Sequence, residues 1–194
     1  MTYRVRVDLE HAKPPIWRRL ELASDLRLDE VHLVLQVAFT WEGHHLHEFS
    51  AFGRRWDHAS RTYGADVDMD LGRSTVPERK ASLRDVLRQV GDSLYYWYDF
   101  GDDWNHVIDL EEVTERGPNA PRARVVGGRR AAPPDDCGGI PGYERLLAVL
   151  DDPTDPEHAE LSEWTTGMGL GAPGEFNPAH VDLDALDVAV QQVV

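Results

Sequence analysis

Leu94-Tyr-Tyr-Trp-Tyr-Asp-Phe-Gly-Asp-Asp-Trp-Asn-His-Val-Ile-Asp-Leu-Glu-Glu112 decides the architecture of this chain. Apolar and polar residues alternate on both sides of a central turn, the period-two pattern of half-buried strands. Leu94, Tyr96 and Tyr98 share one face of the first strand, and Trp104, His106, Ile108 and Leu110 one face of the second. Phe100-Gly101-Asp102-Asp103 supplies the reversal, with Gly101 free to take positive φ. The hairpin thus carries Asp99, Asp102, Asp103 and His106 close together, more polar chemistry than a plain hairpin needs.

Upstream, Tyr3, Val5, Val7 and Leu9 alternate with charged residues, a second clear half-buried strand. Lys13-Pro14-Pro15 turns the chain into a strand with Ile16, Leu20 and Leu22 facing inward beside Arg18, which then needs a carboxylate partner, most simply a hairpin aspartate. The stripe Val31, Val34, Leu35, Ala38 and Phe39 predicts a helix over 29–39, and 44–52 reads as a third strand. Ser82-Leu-Arg-Asp85 is a capping-box start for a short helix leading into the hairpin.

The chain divides into a ββαβ unit at 1–56, an acidic loop at 57–80, a helix and hairpin at 81–115, a Gly/Pro/Arg loop at 116–139 and C-terminal helices at 140–194, all expected within one domain. In the acidic loop Asp66-x-Asp68-x-Asp70 resembles the start of a calcium loop, but Leu71 and Pro77 stand where its glycine and bidentate glutamate belong. Tyr143, Leu146, Leu147 and Leu150 mark a helix, Asp155-Pro156 opens another, and Leu183, Leu186, Val190 and Val193 a last amphipathic one. The expected fold is α+β, with a mostly antiparallel sheet built from ββαβ and αββ segments and helices packed on it.

Composition narrows the function classes. With 20 basic and 35 acidic residues the net charge is −15, which argues against nucleic-acid binding, because phosphate-backbone affinity comes from Lys and Arg displacing counterions. The single cysteine, Cys137, rules out an internal disulfide or a multi-cysteine zinc site, and its acidic neighbours argue against a reactive thiolate. The chain starts directly in a strand and holds no apolar run of membrane-spanning length, so a cytoplasmic protein without a membrane partner is expected.

Five segments together resemble the plasmid pRiA4b ORF-3-like family: Lys13-Pro-Pro-Ile-Trp-Arg-Arg19, Val31-His32 through Gln36, Trp41-Glu-Gly-His-His-Leu-His-Glu-Phe49, Tyr98-Asp-Phe-Gly-Asp-Asp-Trp-x-His106, and Arg130-Ala-Ala-Pro-Pro-Asp-Asp-Cys-Gly-Gly139 with Gly142-Tyr143 behind it. The resemblance implies an α+β domain of plasmid or mobile-element origin, with no established catalytic residues to carry over. It also implies cysteines near positions 125 and 132, where this chain has Val125 and Ala132.

His45 and His47 are two apart in the expected third strand and would share a face, where a carboxylate such as Asp102 could complete a divalent-metal site. The competing reading is a structural network in which these imidazoles and His106 bond to the hairpin aspartates. Arg130 is expected to pair with Asp135, Asp136 or the hairpin acids. The leading expectation is a binding domain whose cleft is lined by Trp41, His45, His47, Tyr96, Tyr98, Asp99, Asp102, Asp103, His106, Arg130 and Asp136 and takes a small molecule or a protein segment. The alternatives are a metal-assisted hydrolase using His45, His47 and a hairpin aspartate, and a DNA-associated accessory protein of a mobile element.

Overall fold

A computed structural model of the chain describes residues 1–65, 75–170 and 176–194. The strands are β1 (Thr2–Leu9), β2 (Ile16–Ala23), β3 (His47–Ala51), β4 (Arg61–Gly64), β5 (Val76–Pro77), β6 (Ser93–Tyr98), β7 (Trp104–Thr114) and β8 (Ala123–Arg129). They form one eight-stranded sheet of order β5-β4-β3-β6-β7-β1-β2-β8, in which only the β4–β5 pair is parallel. The helices are α1 (Leu28–Ala38), α2 (Leu83–Val86), α3 (Gly139–Asp151), α4 (His158–Gly167) and α5 (Leu183–Val190). The fold is α+β, as the alternation and capping signals predict.

One face of the sheet is the core. Val5, Val7, Leu20, Leu94, Trp104 and Ile108 are fully buried there, against Leu28, Val31, Val34 and Ala38 of α1. Each such side chain stabilises the fold by about 1.5–3 kcal/mol relative to exposure. The opposite face carries ion pairs between strands: Arg19 of β2 reaches across β1 to grip Glu111 of β7 with two hydrogen bonds of 2.6 and 2.8 Å, and Arg4 of β1 bonds Glu21 of the adjacent β2 at 2.8 Å. The capping box at Ser82 forms as expected, with Asp85 accepting from the Ser82 backbone N–H at 2.8 Å.

Four local expectations need correction. The segment 57–80 contributes β4, β5 and a 3-10 turn at Glu78–Lys80 to the structure, so it is not only a loop; Asp66, Asp68 and Asp70 lie outside the described residues. The segment 117–139 contains β8, whose apolar pattern is only Ala123 and Val125. Its glycines hide the period because the backbone must be approached closely: a Cβ on Gly128 would sit 2.8 Å from Leu183 of α5. Positive φ in the hairpin turn falls on Asp99 and Asp103 rather than Gly101.

Arg18 is the fourth. It is fully buried on the inward face of β2, but among the described residues it meets no carboxylate. Nε donates to Ala38 O at 2.8 Å, and Nη1 to Trp17 O and Arg130 O at 2.9 Å each and to Arg129 O at 3.3 Å. Ala38 ends α1, so its carbonyl belongs to the set a helix C-terminus leaves without an internal partner, and the helix dipole there favours a cation. Backbone carbonyls take the place expected of an aspartate.

Candidate functional site

Three loops meet at one end of the sheet: the turn 41–46 before β3, the β6–β7 turn, and the 130–138 loop after β8. Asp99 enters the left-handed region at φ 52°, a conformation that Asp tolerates better than most residues. Its Oδ1 accepts from Gly101 N at 2.9 Å, and that Asx turn leaves Oδ2 facing His45 Nε2 at 3.7 Å. Asp136, also left-handed at φ 57°, brings Oδ1 to 3.3 Å from the same nitrogen. One ligand atom from each of His45, Asp99 and Asp136 lies within 4.8 Å of the other two.

The loop that carries Asp136 is fastened on both sides. Asp102 Oδ2 accepts from Gly138 N at 3.0 Å, and Trp41 Nε1 donates to Pro133 O at 2.9 Å. Gly139 lies so close to the hairpin that a Cβ there would be 2.3 Å from Asp102 O, and its φ of 68° suits only glycine well. Asp135 points inward: Oδ2 accepts from Glu42 N at 3.1 Å, while Oδ1 is buried with no hydrogen-bond partner among the described residues. Burial pushes the Asp135 carboxyl above the usual range and the charges of Asp136 and Asp99 push it the same way, against the Glu42 N–H and His45. Side-chain exposure runs from 10 % at Asp99 through 29 % at His45 to 69 % at Asp136, so the group opens to solvent on one side.

His47 does not join it. β3 begins at His47, so His45 sits in the preceding turn and the two imidazoles share no strand face. Instead His47 Nε2 and Glu78 Oε2 are 2.8 Å apart in a buried hydrogen bond, and the His47 ring stacks on His32 at 3.6 Å. The Tyr96 hydroxyl accepts from Gln36 Nε2 at 2.8 Å and lies 2.8 Å from His32 Nδ1. Burial, with help from His47, lowers the His32 pKa to about 3, so that ring is neutral. This interior chain of His32, Gln36, His47, Glu78 and Tyr96 was visible in sequence only as scattered polar residues.

His106 is not bonded to an aspartate of the turn. It is enclosed by Phe39 at 4.8 Å, Trp41 at 5.3 Å and Tyr96 at 5.5 Å; among the described residues its ring nitrogens interact with the backbone of Tyr96 and Trp104 but make no hydrogen bond of normal geometry. Trp41 stacks on Tyr98 at 5.0 Å, and Tyr98 meets the edge of His45 at 5.8 Å. Trp41, Tyr96, Tyr98 and His106 are therefore core residues packed on one another, behind the polar rim rather than along an open wall. Asp103 turns to Asn105, whose Nδ2 donates to its Oδ1 at 2.9 Å. Arg130 has no carboxylate within ion-pair distance among the described residues; its carbonyl holds Arg18, and its side chain lies by Tyr143.

Beyond Asp136 and Cys137 a groove of about 370 Å³ runs between this loop and helices α3 and α4, with Leu146, Leu161 and Trp164 lining it. The Cys137 thiol is no nucleophile: burial, reinforced by Asp102, pushes it up to about 12. Asp135 is the site residue whose role the sequence hid, since its neighbour Arg130 offered a simpler partner. The stiff Pro133-Pro134 pair just before it was the available signal that this carboxyl is held in place.

Comparison with protein families matches residues 1–185 to the plasmid pRiA4b ORF-3-like proteins. A protein of Sinorhizobium fredii named uncharacterized protein y4hQ is 34 % identical over 164 residues, which cover 83 % of this chain and 79 % of that protein. The crystal structure of MM3350 from Methanosarcina mazei Go1, titled a protein of unknown function, superposes with a TM-score of 0.81 at 30 % identity over 95 % of this chain and 96 % of the other. Among the described residues no helix is long and apolar enough to cross a membrane.

Proposed function

The chain belongs to the plasmid pRiA4b ORF-3-like family, and from that premise and the geometry of the rim we propose that it is a binding domain for a divalent cation held by His45, Asp99 and Asp136. The observation that carries the reading is the convergence of these groups on one point beside Asp135, a buried carboxyl with a free oxygen. Ligand atoms about 2.0–2.2 Å from one ion lie about 3.0–3.4 Å apart when adjacent, close to the His45 distances of 3.3 and 3.7 Å. Without a cation, carboxylates crowd one another and one of them is desolvated; a cation relieves both costs. One imidazole nitrogen with carboxylate oxygens suits zinc, manganese, iron or nickel better than calcium, which prefers oxygen alone.

Three protein ligands leave coordination positions for a guest, and the groove beyond Asp136 gives such a guest an apolar wall at Leu146, Leu161 and Trp164. A small molecule with an oxygen-donor head fits that combination. The same open positions favour, as a second reading, metal-assisted hydrolysis with the Asp135 carboxyl as proton acceptor. A cytoplasmic setting and a mobile-element origin complete the proposal. A DNA-associated role is disfavoured by the net charge of −15.

The test is titration of chelator-stripped protein with manganese and zinc by calorimetry. One ion should bind per chain, and His45→Ala and Asp136→Asn should each weaken it by about tenfold or more. Asp103→Asn, whose side chain bonds only locally, should leave affinity unchanged. No saturable binding up to about 1 mM, the weak end for protein cation sites, or equal affinity in all three variants, would refute the assignment.

A further inference from the structure

Most arginines of this acidic chain hold a carboxylate, as Arg4, Arg19, Arg54 and Arg122 do. Arg61, Arg84 and Arg88 hold none among the described residues, and they gather around Asp85 of α2. The charges of Arg84 and Arg88 add to the Ser82 hydrogen bonds in keeping the Asp85 carboxyl below its usual range. Those of Arg61 and Arg88 both act on Tyr63, against the burial that raises its hydroxyl. The nearby acids serve backbone amides: Asp85 Oδ2 accepts from Ser82 N at 2.8 Å, and Asp92 Oδ2 from Arg88 N and Gln89 N at 2.7 and 3.1 Å. A concentration of arginines without ion pairs, on a chain of net charge −15, suits an anion brought from outside.

Aromatic rings hold two of these guanidinium groups in place. Arg88 lies over the Phe52 ring at 4.6 Å and Arg61 over Tyr63 at 5.7 Å, and both arginines are exposed. A guanidinium stacked on a ring keeps its in-plane N–H donors for a carboxylate, in the bidentate geometry that arginine favours. Phe52 is itself unusual. It is 41 % exposed and its φ is 64°, a left-handed conformation that strains a bulky residue. Beside it a groove of about 520 Å³ runs between the β3–β4 connection and the loop from α2 to β6, lined by Phe52, Val86, Arg88, Gln89 and Tyr95. We propose that this groove docks an acidic peptide segment, with a carboxylate on Arg88 and an apolar side chain against Phe52 and Tyr95.

Arg54 lies over Tyr95 at 4.8 Å, but Glu10 already holds it with two hydrogen bonds of 2.8 Å each. The charge offered to a guest is therefore that of Arg88, with Arg61 and Arg84 around it. Aromatic residues and arginine carry much of the binding energy at protein interfaces, and arginine clusters read acidic motifs. A nucleic acid fits less well, because three arginines engage few phosphates and the chain's net negative charge repels a long polyanion. The groove is also separate from the cation site: Phe52 follows Ala51, which pairs with Leu94 at one end of β6, while Asp99 lies beyond Tyr98 at the other.

The probe is a short synthetic peptide of glutamates flanking one phenylalanine, titrated by calorimetry into full-length protein in the presence of EDTA. It should bind saturably at about 100 μM or tighter, and several-fold more weakly when salt is raised from about 50 to about 300 mM. The same peptide with lysines in place of glutamates should not bind. Arg88→Glu should weaken binding about tenfold or more. Phe52→Gly should weaken it comparably with the melting temperature close to the parent's, because glycine takes that φ without strain and the ring removed is exposed. Arg129→Glu makes the same charge change at an exposed position of β8, the far edge of the sheet, and should leave binding unchanged. No saturation up to about 1 mM, parental affinity in Arg88→Glu or Phe52→Gly, an equal loss in Arg129→Glu, or tighter binding of a single-stranded oligonucleotide of matched charge would overturn the proposal.

Discussion

Acid should weaken this fold through His106. The ring is fully enclosed by Phe39, Trp41 and Tyr96, and burial holds its pKa down at about 4, against an ordinary value of 6.5. The backbone of Tyr96 and Trp104 and the charge of Glu10 oppose that shift only in part. Because the folded pKa lies below the unfolded one, the unfolded chain takes up the proton first as pH falls. The stability tied to the neutral ring is therefore complete above the unfolded value of 6.5 and is lost progressively down to the folded value of about 4. Linkage over that window puts the loss between about pH 7.5 and about pH 4.5 at about 2.5 kcal/mol for this one residue. His106→Phe removes the titration and loses only the poorly aligned ring contacts to the Tyr96 and Trp104 backbone, so it should cost about 1 kcal/mol at neutral pH. Urea unfolding of parent and variant at the two pH values measures the difference directly. The parent should lose about 2.5 kcal/mol more than the variant on acidification. Equal acid losses, or an NMR titration of His106 with a midpoint near its ordinary value, would refute the argument.

Other consequences are as direct. His32, held down to about 3 by burial, should add acid sensitivity of the same sign, and His32→Phe should shift the acid unfolding midpoint to lower pH; an unmoved midpoint would show that this ring titrates freely. Gly139→Ala places a Cβ 2.3 Å from Asp102 O at a positive φ, so it should destabilise the protein by about 1–3 kcal/mol and weaken the proposed cation binding with it; an unchanged melting temperature would show that the loop docks differently. Arg18→Met leaves the carbonyls of Ala38, Trp17 and Arg130 short of a donor, at about 2–4 kcal/mol in chemical denaturation, and stability equal to the parent would contradict the observed bonding. Cys137, with its thiol pushed to about 12, should resist iodoacetamide in the folded protein and react readily in urea; alkylation at the free-thiol rate in the native state would mean the thiol is not held as described.

What the sequence determined by itself was local and periodic. The alternation of Tyr3, Val5, Val7 and Leu9, and of Leu94 to Tyr98 against Trp104 to Leu110, placed the central strands and their buried faces, because side chains alternate along any strand whatever its neighbours. The stripe of α1 and the capping box at Ser82 were legible for the same reason. The tertiary structure alone decided which polar groups meet. His45 and His47 looked like partners by spacing, yet the strand begins between them and they face different surroundings. His45, Asp99 and Asp136 lie in three loops far apart in sequence, and their meeting depends on the Asp102–Gly138 bond and the close approach of Gly139 to the hairpin. Arg18 was readable as buried, but its partners were not, since carbonyls at a helix end carry no mark in the sequence. A strand's period is set by covalent geometry. The company a loop side chain keeps is set by packing between distant segments, and no local pattern encodes it.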